Sequence, residues 1–90
     1  MPFEWDEAKR EQNLAKHGID FRRIVRLFDG RIVEVVDRRH DYGERRLRCF
    51  GEIEGRVYSV VYTWRGGNRR IISARKANDR EKRTYYGRDR

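Results

Sequence analysis

Residues that build disulfides, metal sites and membrane spans are scarce in this chain. Its one cysteine, Cys49, has no partner for an internal disulfide, and the apolar alternation around it predicts a buried, unreactive thiol. The two histidines form no cluster with metal-ligand spacing, so we expect neither a metal site nor a cofactor. No run of about 18 apolar residues and no secretory signal occurs, which predicts a cytoplasmic protein without a membrane partner.

Positive charge, by contrast, is abundant and unevenly placed. Residues 65–90 contain ten Lys and Arg against three Asp and Glu, a net charge of +7, whereas residues 1–64 carry only +1. Such an imbalance indicates a polyanion or an acidic protein as the partner. A chain of 90 residues has room for one small core, so residues 1–90 are expected to form a single domain.

Two helices are predicted in the first third of the chain. Asp6 is a suitable N-cap and Gly18 a suitable left-handed stop for a first helix over residues 5–17. A second helix is predicted from an N-cap at Asp20 to a close at Asp29-Gly30, because Phe21, Ile24, Val25 and Phe28 recur with the helical period and form one apolar stripe.

Beyond these helices the apolar period changes to two, which predicts four strands. They cover residues 31–37, 45–54, 56–65 and 69–75. A last helix over residues 78–86 follows, because Asn78 and Glu81 have the spacing of an N-cap and its reciprocal partner. The predicted fold is α+β, with two N-terminal helices, a four-stranded antiparallel sheet and a C-terminal helix. We expect the helices to cover one face of the sheet and to leave the other free.

Basic and aromatic residues share one face of the second predicted strand. Arg46, Arg48 and Phe50 alternate with apolar residues, so their side chains leave the sheet on the side away from the core. The neighbouring strand has an aromatic face that includes Tyr62. Cations and flat rings on one sheet face suit single-stranded RNA, since the cations bind phosphates and the rings stack on bases. The alternative is an ordinary solvated strand face with aromatic residues in the core.

The best predicted phosphate site lies where the last strand meets the last helix. Arg75 and Lys76 end that strand beside the helix N-terminus, whose free N–H groups and dipole favour an anion. Strand alternation places Arg70 and Arg75 on opposite faces, so only one of them can face a given substrate. The alternative for this site is a solvated loop with ion pairs to Asp79 or Glu81.

The loop between the first two predicted strands gathers the side chains best suited to proton transfer. His40 titrates near neutrality and Glu44 can act as a base, so either could activate a ribose 2′-hydroxyl. The alternative is a polar turn. Further cations and one ring are predicted to bind RNA: Arg45, Arg46, Arg48, Arg65, Arg69, Arg80, Lys82, Arg83 and Tyr86.

Several motifs together resemble those of a known family. They are Phe3-Glu-Trp-Asp6, Lys16-His-Gly18, Asp41-Tyr-Gly-Glu-Arg45, Val61-Tyr-Thr63 and Ile71-Ile-Ser-Ala-Arg-Lys-Ala77, with Glu81 and Tyr85-Tyr86. In these residues the chain resembles the BrnT toxins over nearly its whole length. The resemblance implies a RelE-like fold and a type II toxin that cleaves RNA without a metal ion. It also implies neutralisation by a BrnA-like ribbon-helix-helix antitoxin in a heterotetramer, with promoter DNA bound only through the antitoxin.

By similarity, the site residues would be Tyr62, Arg75 and Lys76, with Glu44 and Arg45 nearby. The resulting hypothesis is an endoribonuclease toxin that cleaves single-stranded RNA, with mRNA as the expected target. The cations Arg70, Arg75 and Lys76 would bind the phosphate, Tyr62 would stack on a base or donate a proton, and Glu44 or His40 would be the base. The competing hypothesis is a small basic module that binds RNA or protein without chemistry.

Overall fold

A computed structural model defines residues 2–39 and 41–87 of the chain. The elements are β1 (Phe3–Trp5), α1 (Glu7–His17), α2 (Phe21–Ile24), a 3₁₀ helix (Val25–Asp29), β2 (Ile32–Asp37), β3 (Arg46–Ile53), β4 (Arg56–Arg65), β5 (Asn68–Lys76) and α3 (Asp79–Tyr86). The four predicted strands, the first helix and the last helix therefore form close to their predicted bounds.

The strands form one five-stranded mixed sheet in the order β1-β5-β4-β3-β2. β1 runs parallel to β5 and pairs Phe3 with Arg69, whereas the other neighbouring strands are antiparallel. The predicted four-stranded antiparallel sheet is therefore wrong. A strand of three residues is too short to show a period-two pattern, and its partner lies at the far end of the sequence, where no local signal reveals the pairing.

The second predicted helix also differs from expectation. Its first turn, Phe21–Ile24, is α-helical, but the chain then tightens into the 3₁₀ helix, so the prediction of two full N-terminal helices is wrong. The tighter period brings Leu27 directly over the backbone of Gly51 in β3, where an added Cβ atom would collide with the leucine side chain. Close packing of this segment on the sheet overrides the helical pattern of the sequence.

Helices cover both faces of the sheet, not one as predicted. α1, α2 and the 3₁₀ helix enclose the main core on one face, around buried residues such as Phe21 and Tyr62. On the other face, here called the α3 face, Tyr85 of α3 packs in a second cluster with Phe50 and Val57. α3 covers the end of this face that holds Phe50 and Val57, because burying these apolar side chains against Tyr85 is favourable. The rest of the α3 face is rich in arginine and contains the candidate site.

A β-bulge determines which face Arg70 occupies. β4 pairs Ser59 with Arg75 and Thr63 with Arg70, and the register shifts between these two pairs. Because Ser59 and Thr63 lie an even number of positions apart on β4, both belong to the α3 face, and Arg70 and Arg75 share it with them. The prediction that these two arginines lie on opposite faces is therefore wrong, since the bulge inserts an extra residue into β5.

Candidate functional site

A cleft of about 600 Å³ lies between α3 and the open part of the α3 face. Its lining includes four arginines from four different segments: Arg39, Arg48, Arg75 and Arg80. One glutamate, Glu81, joins them, so the charged lining of this arginine cleft sums to +3. A concave surface with this excess of one charge raises the local concentration of anions. Three of these arginines, from β3, β5 and α3, were predicted from the sequence as site residues, and the fold brings them together.

Arg75 is held in the cleft by a bidentate ion pair with Glu81. The two guanidinium Nη atoms donate to the two carboxylate oxygens over 2.7 and 2.8 Å. Glu81 also accepts a hydrogen bond from the backbone N–H of Asn78, while its own N–H donates to the Asn78 side chain, which completes the predicted capping box. The ion pair that the sequence offered as an alternative reading of Arg75 is thus present, and Glu81 is the partner.

Glu81 remains a carboxylate although it is only 6% exposed. Burial by itself would raise the pKa of Glu81, but the hydrogen bonds from Arg75 and from the Asn78 backbone outweigh burial and lower the pKa below its ordinary value. A carboxylate with a low pKa and two occupied oxygens is a weak base. Its role in the cleft is to fix the guanidinium of Arg75, whose five N–H donors exceed what one carboxylate can accept.

Arg48 lies beside this pair and is less firmly held. Its Nη1 atom is 3.9 Å from Glu81 Oε2, longer than a hydrogen bond. Its Nε atom is buried and has no hydrogen-bond partner among residues 2–39 and 41–87. A buried donor without an acceptor costs about 1–3 kcal/mol. An anion bound in the cleft would supply that acceptor, which makes Arg48 the best-motivated ligand contact of the site.

Arg39 is the cleft residue that the sequence analysis missed. Its guanidinium donates to both oxygens of Asp37 over 2.7 and 2.8 Å, and Tyr42 donates to the same carboxylate. These contacts outweigh burial and lower the pKa of Asp37 to about 2, chiefly through the hydrogen bonds from Arg39. The sequence feature that could have indicated this pair is Asp37 at the end of a predicted strand, followed two positions later by Arg39.

The Asp37–Arg39 pair makes stability depend on pH. Because the pKa of Asp37 is lower in the folded chain (about 2) than its ordinary value of 3.8, the ionised form stabilises the fold above about pH 4, and this contribution is lost as the pH falls toward 2. Asp37→Asn is expected to lower the free energy of unfolding at pH 7 by on the order of 2 kcal/mol. Urea unfolding of both proteins from pH 7 to pH 2 measures the difference, which should shrink across that window.

Asp29→Asn is the matched control, because Asp29 is exposed and the charge change is the same. It should leave the free energy of unfolding within about 0.5 kcal/mol of wild type. A difference between Asp37→Asn and wild type that stayed constant down to pH 2 would contradict the assignment of the low pKa to this pair.

A second cavity, of about 490 Å³, holds several other predicted residues: Glu44, Arg45, Arg65 and Arg70. Glu44 pairs with Arg46 over 3.0 Å, and Arg70 pairs with Glu4 over 2.8 Å. The positions on β4 that pair with Arg70 and Arg75 are four residues apart, so roughly 13 Å of strand separates them. The predicted base Glu44 and the predicted phosphate ligand Arg75 therefore line different cavities.

Tyr62 lies in the main core and not in either cavity. It is fully buried, its hydroxyl donates to the carboxylate of Glu34, and burial raises its pKa to about 12. Arg69, also a predicted RNA contact, packs its guanidinium over the rings of Phe28, Tyr62 and Trp64 at 4.5, 5.3 and 4.7 Å. Both side chains belong to an aromatic cluster on the face opposite the arginine cleft.

The remaining predicted residues are spread over the surface. Lys76 follows Arg75 in β5 but lines a different cavity, of about 360 Å³, together with Lys82 and Tyr86. Arg46 lies over the ring of Tyr42 at 3.9 Å. Arg83 is exposed on α3. The predicted acid or base His40 lies outside the described residues.

Reactive and metal-binding groups are few in the part of the chain that the structure describes. Cys49 is fully buried as predicted, and burial raises the pKa of its thiol to about 12. Within residues 2–39 and 41–87, no three His, Cys, Asp or Glu side chains are grouped as a metal site. None of the described helices has the length and apolar character needed to cross a membrane.

The charge of the arginine cleft suits a polyanion, and comparison with protein families identifies the class of protein. Residues 5–81 match the family described as ribonuclease toxin, BrnT, of type II toxin-antitoxin system. The match covers most of the chain and includes all four arginines of the cleft and Glu81, so the chain belongs to the BrnT family. Comparison with curated proteins gives no match. Membership of a type II family implies an RNA substrate and an antitoxin partner.

Proposed function

We propose that residues 1–90 act as a single toxin domain, an endoribonuclease that cleaves single-stranded RNA in the arginine cleft. The expected target is mRNA, and the reaction is attack of the ribose 2′-oxygen on the adjacent phosphate, without a metal ion. The observation that carries this proposal is that two arginines line the same cleft. Arg75 is fixed there by Glu81, and Arg48 has a buried Nε that lacks an acceptor among the described residues.

The arginines would act on the charge that develops at the phosphate. As the 2′-oxygen attacks, negative charge grows on the non-bridging oxygens, and donors already aimed at that position lower the barrier without reorganising. Glu81 supplies the preorganisation, because it fixes the guanidinium of Arg75. Arg48 would contribute a second charge from β3. This source of positive charge supports a mechanism that needs no metal ion.

The general base must be a residue other than the two carboxylates that are paired with arginines in the cleft. Glu81 has a low pKa and both oxygens engaged, and the Asp37 carboxylate is bound by Arg39. We therefore assign the base to His40, which follows Arg39 directly in the sequence and belongs to a residue type that titrates near neutrality. Glu44 is the second candidate. In a cleavage assay, His40→Ala should reduce the rate far more than Glu44→Gln, and the reverse order would transfer the role to Glu44.

Other cations would attract RNA without taking part in the chemistry. Arg46, Arg80 and Arg83 belong to this group, and each phosphate contact adds to the salt dependence of binding. For the antitoxin partner we propose a BrnA-like ribbon-helix-helix protein that forms a heterotetramer with this chain and carries all contact with promoter DNA. An adjacent gene for such a protein, and co-purification of the two chains at that stoichiometry, are the expected observations. A 1:1 complex would contradict the proposed assembly.

Cleavage of labelled single-stranded RNA by the purified chain in EDTA tests the proposed activity. We expect cleavage to persist in EDTA, because arginines and not a metal ion supply the positive charge. Cleavage that EDTA abolishes would contradict the metal-independent mechanism. Binding of the RNA without any cleavage would contradict the enzyme and support the non-catalytic RNA-binding module.

A further inference from the structure

A large aromatic ring stands exposed at the end of β4. Trp64 is 52% exposed and lines the cavity of about 490 Å³ that also contains Arg45, Arg65 and Arg70. Exposing an indole ring to water gives up the free energy that its burial would provide. The neighbours of Trp64 indicate that the ring is held in a defined position for a ligand.

The buried Tyr62 and the half-buried Arg69 support Trp64 from one side. The Tyr62 ring meets it edge to face, with centroids 5.7 Å apart and planes at 84°, and the Arg69 guanidinium lies 4.7 Å from the indole centre. Arg69 is itself fixed, since it also lies 4.5 Å from the Phe28 ring and 4.0 Å from Glu34. The indole has therefore lost much of its rotamer freedom before any ligand binds, which reduces the entropic cost of stacking.

The surroundings of the ring fit one strand of nucleic acid. A flat ring next to cations is the combination that binds single strands, because bases stack on the ring while the cations bind phosphates. Three arginines and one glutamate line the cavity, and that glutamate, Glu44, pairs with Arg46 over 3.0 Å. Arg70 of this cavity shares the α3 face with Arg75, roughly 13 Å away along the sheet. Trp64 itself alternates with Thr63 and lies on the opposite face of the sheet, so a strand of RNA that follows the α3 face from the arginine cleft would reach the indole by passing over the end of the sheet at this cavity.

We propose that Trp64 is a base-stacking subsite of the ribonuclease, which binds a nucleobase of the RNA strand beyond the phosphate held in the arginine cleft. The proposal rests on the proposed function. Arg45, Arg65 and Arg70 would bind the neighbouring phosphates, and Tyr62 and Arg69 are positioning residues that hold the indole. This assigns to Tyr62 a supporting role from within the core, in place of direct contact with the substrate.

The tryptophan content of the chain allows a direct test. There are two tryptophans, so Trp5→Phe leaves Trp64 as the sole fluorescent indole. Titration of this variant with a 2′-O-methyl oligonucleotide, which lacks the attacking hydroxyl, should quench the emission of Trp64. Trp64→Ala in the otherwise wild-type chain should weaken binding of the same oligonucleotide by about tenfold or more, and Trp64→Phe should retain most of the affinity.

An abasic oligonucleotide of the same length is the matched ligand control, because it keeps the phosphates and lacks the bases. Equal quenching by the abasic strand, or unchanged affinity after Trp64→Ala, would overturn the subsite. Weaker antitoxin binding by Trp64→Ala with normal RNA affinity would also overturn it and would assign the ring to a protein interface. Failure of the subsite is distinguishable from failure of the activity, because the subsite is measured by binding and fluorescence with the 2′-O-methyl strand, whereas the activity is measured by cleavage of unmodified RNA in EDTA.

Discussion

Replacement of Arg48 by alanine should slow RNA cleavage by about 10²–10³-fold, the usual effect of removing one preorganised donor to a developing oxyanion. Arg48 lines the arginine cleft, and its buried Nε has no acceptor within the described chain. A phosphate oxygen would satisfy that donor and gain stabilisation as its charge grows. The fold should be little affected, with a change below about 1 kcal/mol in the free energy of unfolding, because the carboxylate of Glu81 lies 3.9 Å away, beyond hydrogen-bond distance.

Arg22→Ala is the matched control for this loss. Arg22 is 67% exposed on α2, across the sheet from the arginine cleft, and its removal lowers the formal net charge from +8 to +7, as removal of Arg48 does. Single-turnover cleavage of a labelled RNA should therefore be close to wild type for Arg22→Ala. Similar losses of cleavage rate in both variants would show that Arg48 only attracts RNA through its charge. A cleavage rate close to wild type for Arg48→Ala would show that Arg48 is not part of the active site.

Replacement of Arg75 by alanine should lower the free energy of unfolding by about 3 kcal/mol, because it removes the bidentate, hydrogen-bonded partner of the buried Glu81 carboxylate and leaves only Arg48, 3.9 Å away, near it among the described cations. The value lies at the lower end of the range for a broken buried pair, since Arg75 itself is 35% exposed. In a domain of this size that corresponds to a fall of roughly 12–24 °C in Tm. Thermal and urea unfolding at pH 7 measure it.

A second substitution separates the ion pair from the chemistry. Adding Glu81→Gln to Arg75→Ala removes the unpaired buried charge and keeps an oxygen that can accept from the Asn78 N–H. The double variant should be more stable than Arg75→Ala alone yet still inactive in cleavage. Further loss of stability in the double variant would contradict the account of the pair. Recovery of cleavage activity together with stability would show that Arg75 has only a structural role.

The parts of the fold that the sequence predicts well are those with local signals. Asp6 caps α1 through its side chain, and the Asn78–Glu81 capping box opens α3, as their spacing indicates. The errors fall where distant segments decide the structure. β1 exists because it pairs with β5, and the 3₁₀ helix forms because Leu27 packs on Gly51.

The candidate site follows the same division. Strand alternation was sufficient to select Arg48, and Arg75 was selected by its position at the strand end beside the helix N-terminus and by similarity to the family. Their convergence could not be predicted, because it depends on the strand order and register that place β3 and β5 on either side of β4. Burial of Glu81 likewise depends on how α3 packs. The expectation for Tyr62 rested on its aromatic type and on similarity to the family, whereas the packing of its face of β4 against the N-terminal helices places it in the main core.

Analysis of the RNA ends is the most direct measurement of the proposed chemistry. A defined single-stranded RNA is incubated in EDTA with wild-type protein and with Arg48→Ala, and the termini of the products are identified by mass spectrometry. The account predicts 2′,3′-cyclic phosphate and 5′-hydroxyl ends from the wild-type chain, because the 2′-oxygen is the nucleophile, and almost no product from Arg48→Ala. Products with 5′-phosphate ends, or equal yields from the two proteins, would contradict it.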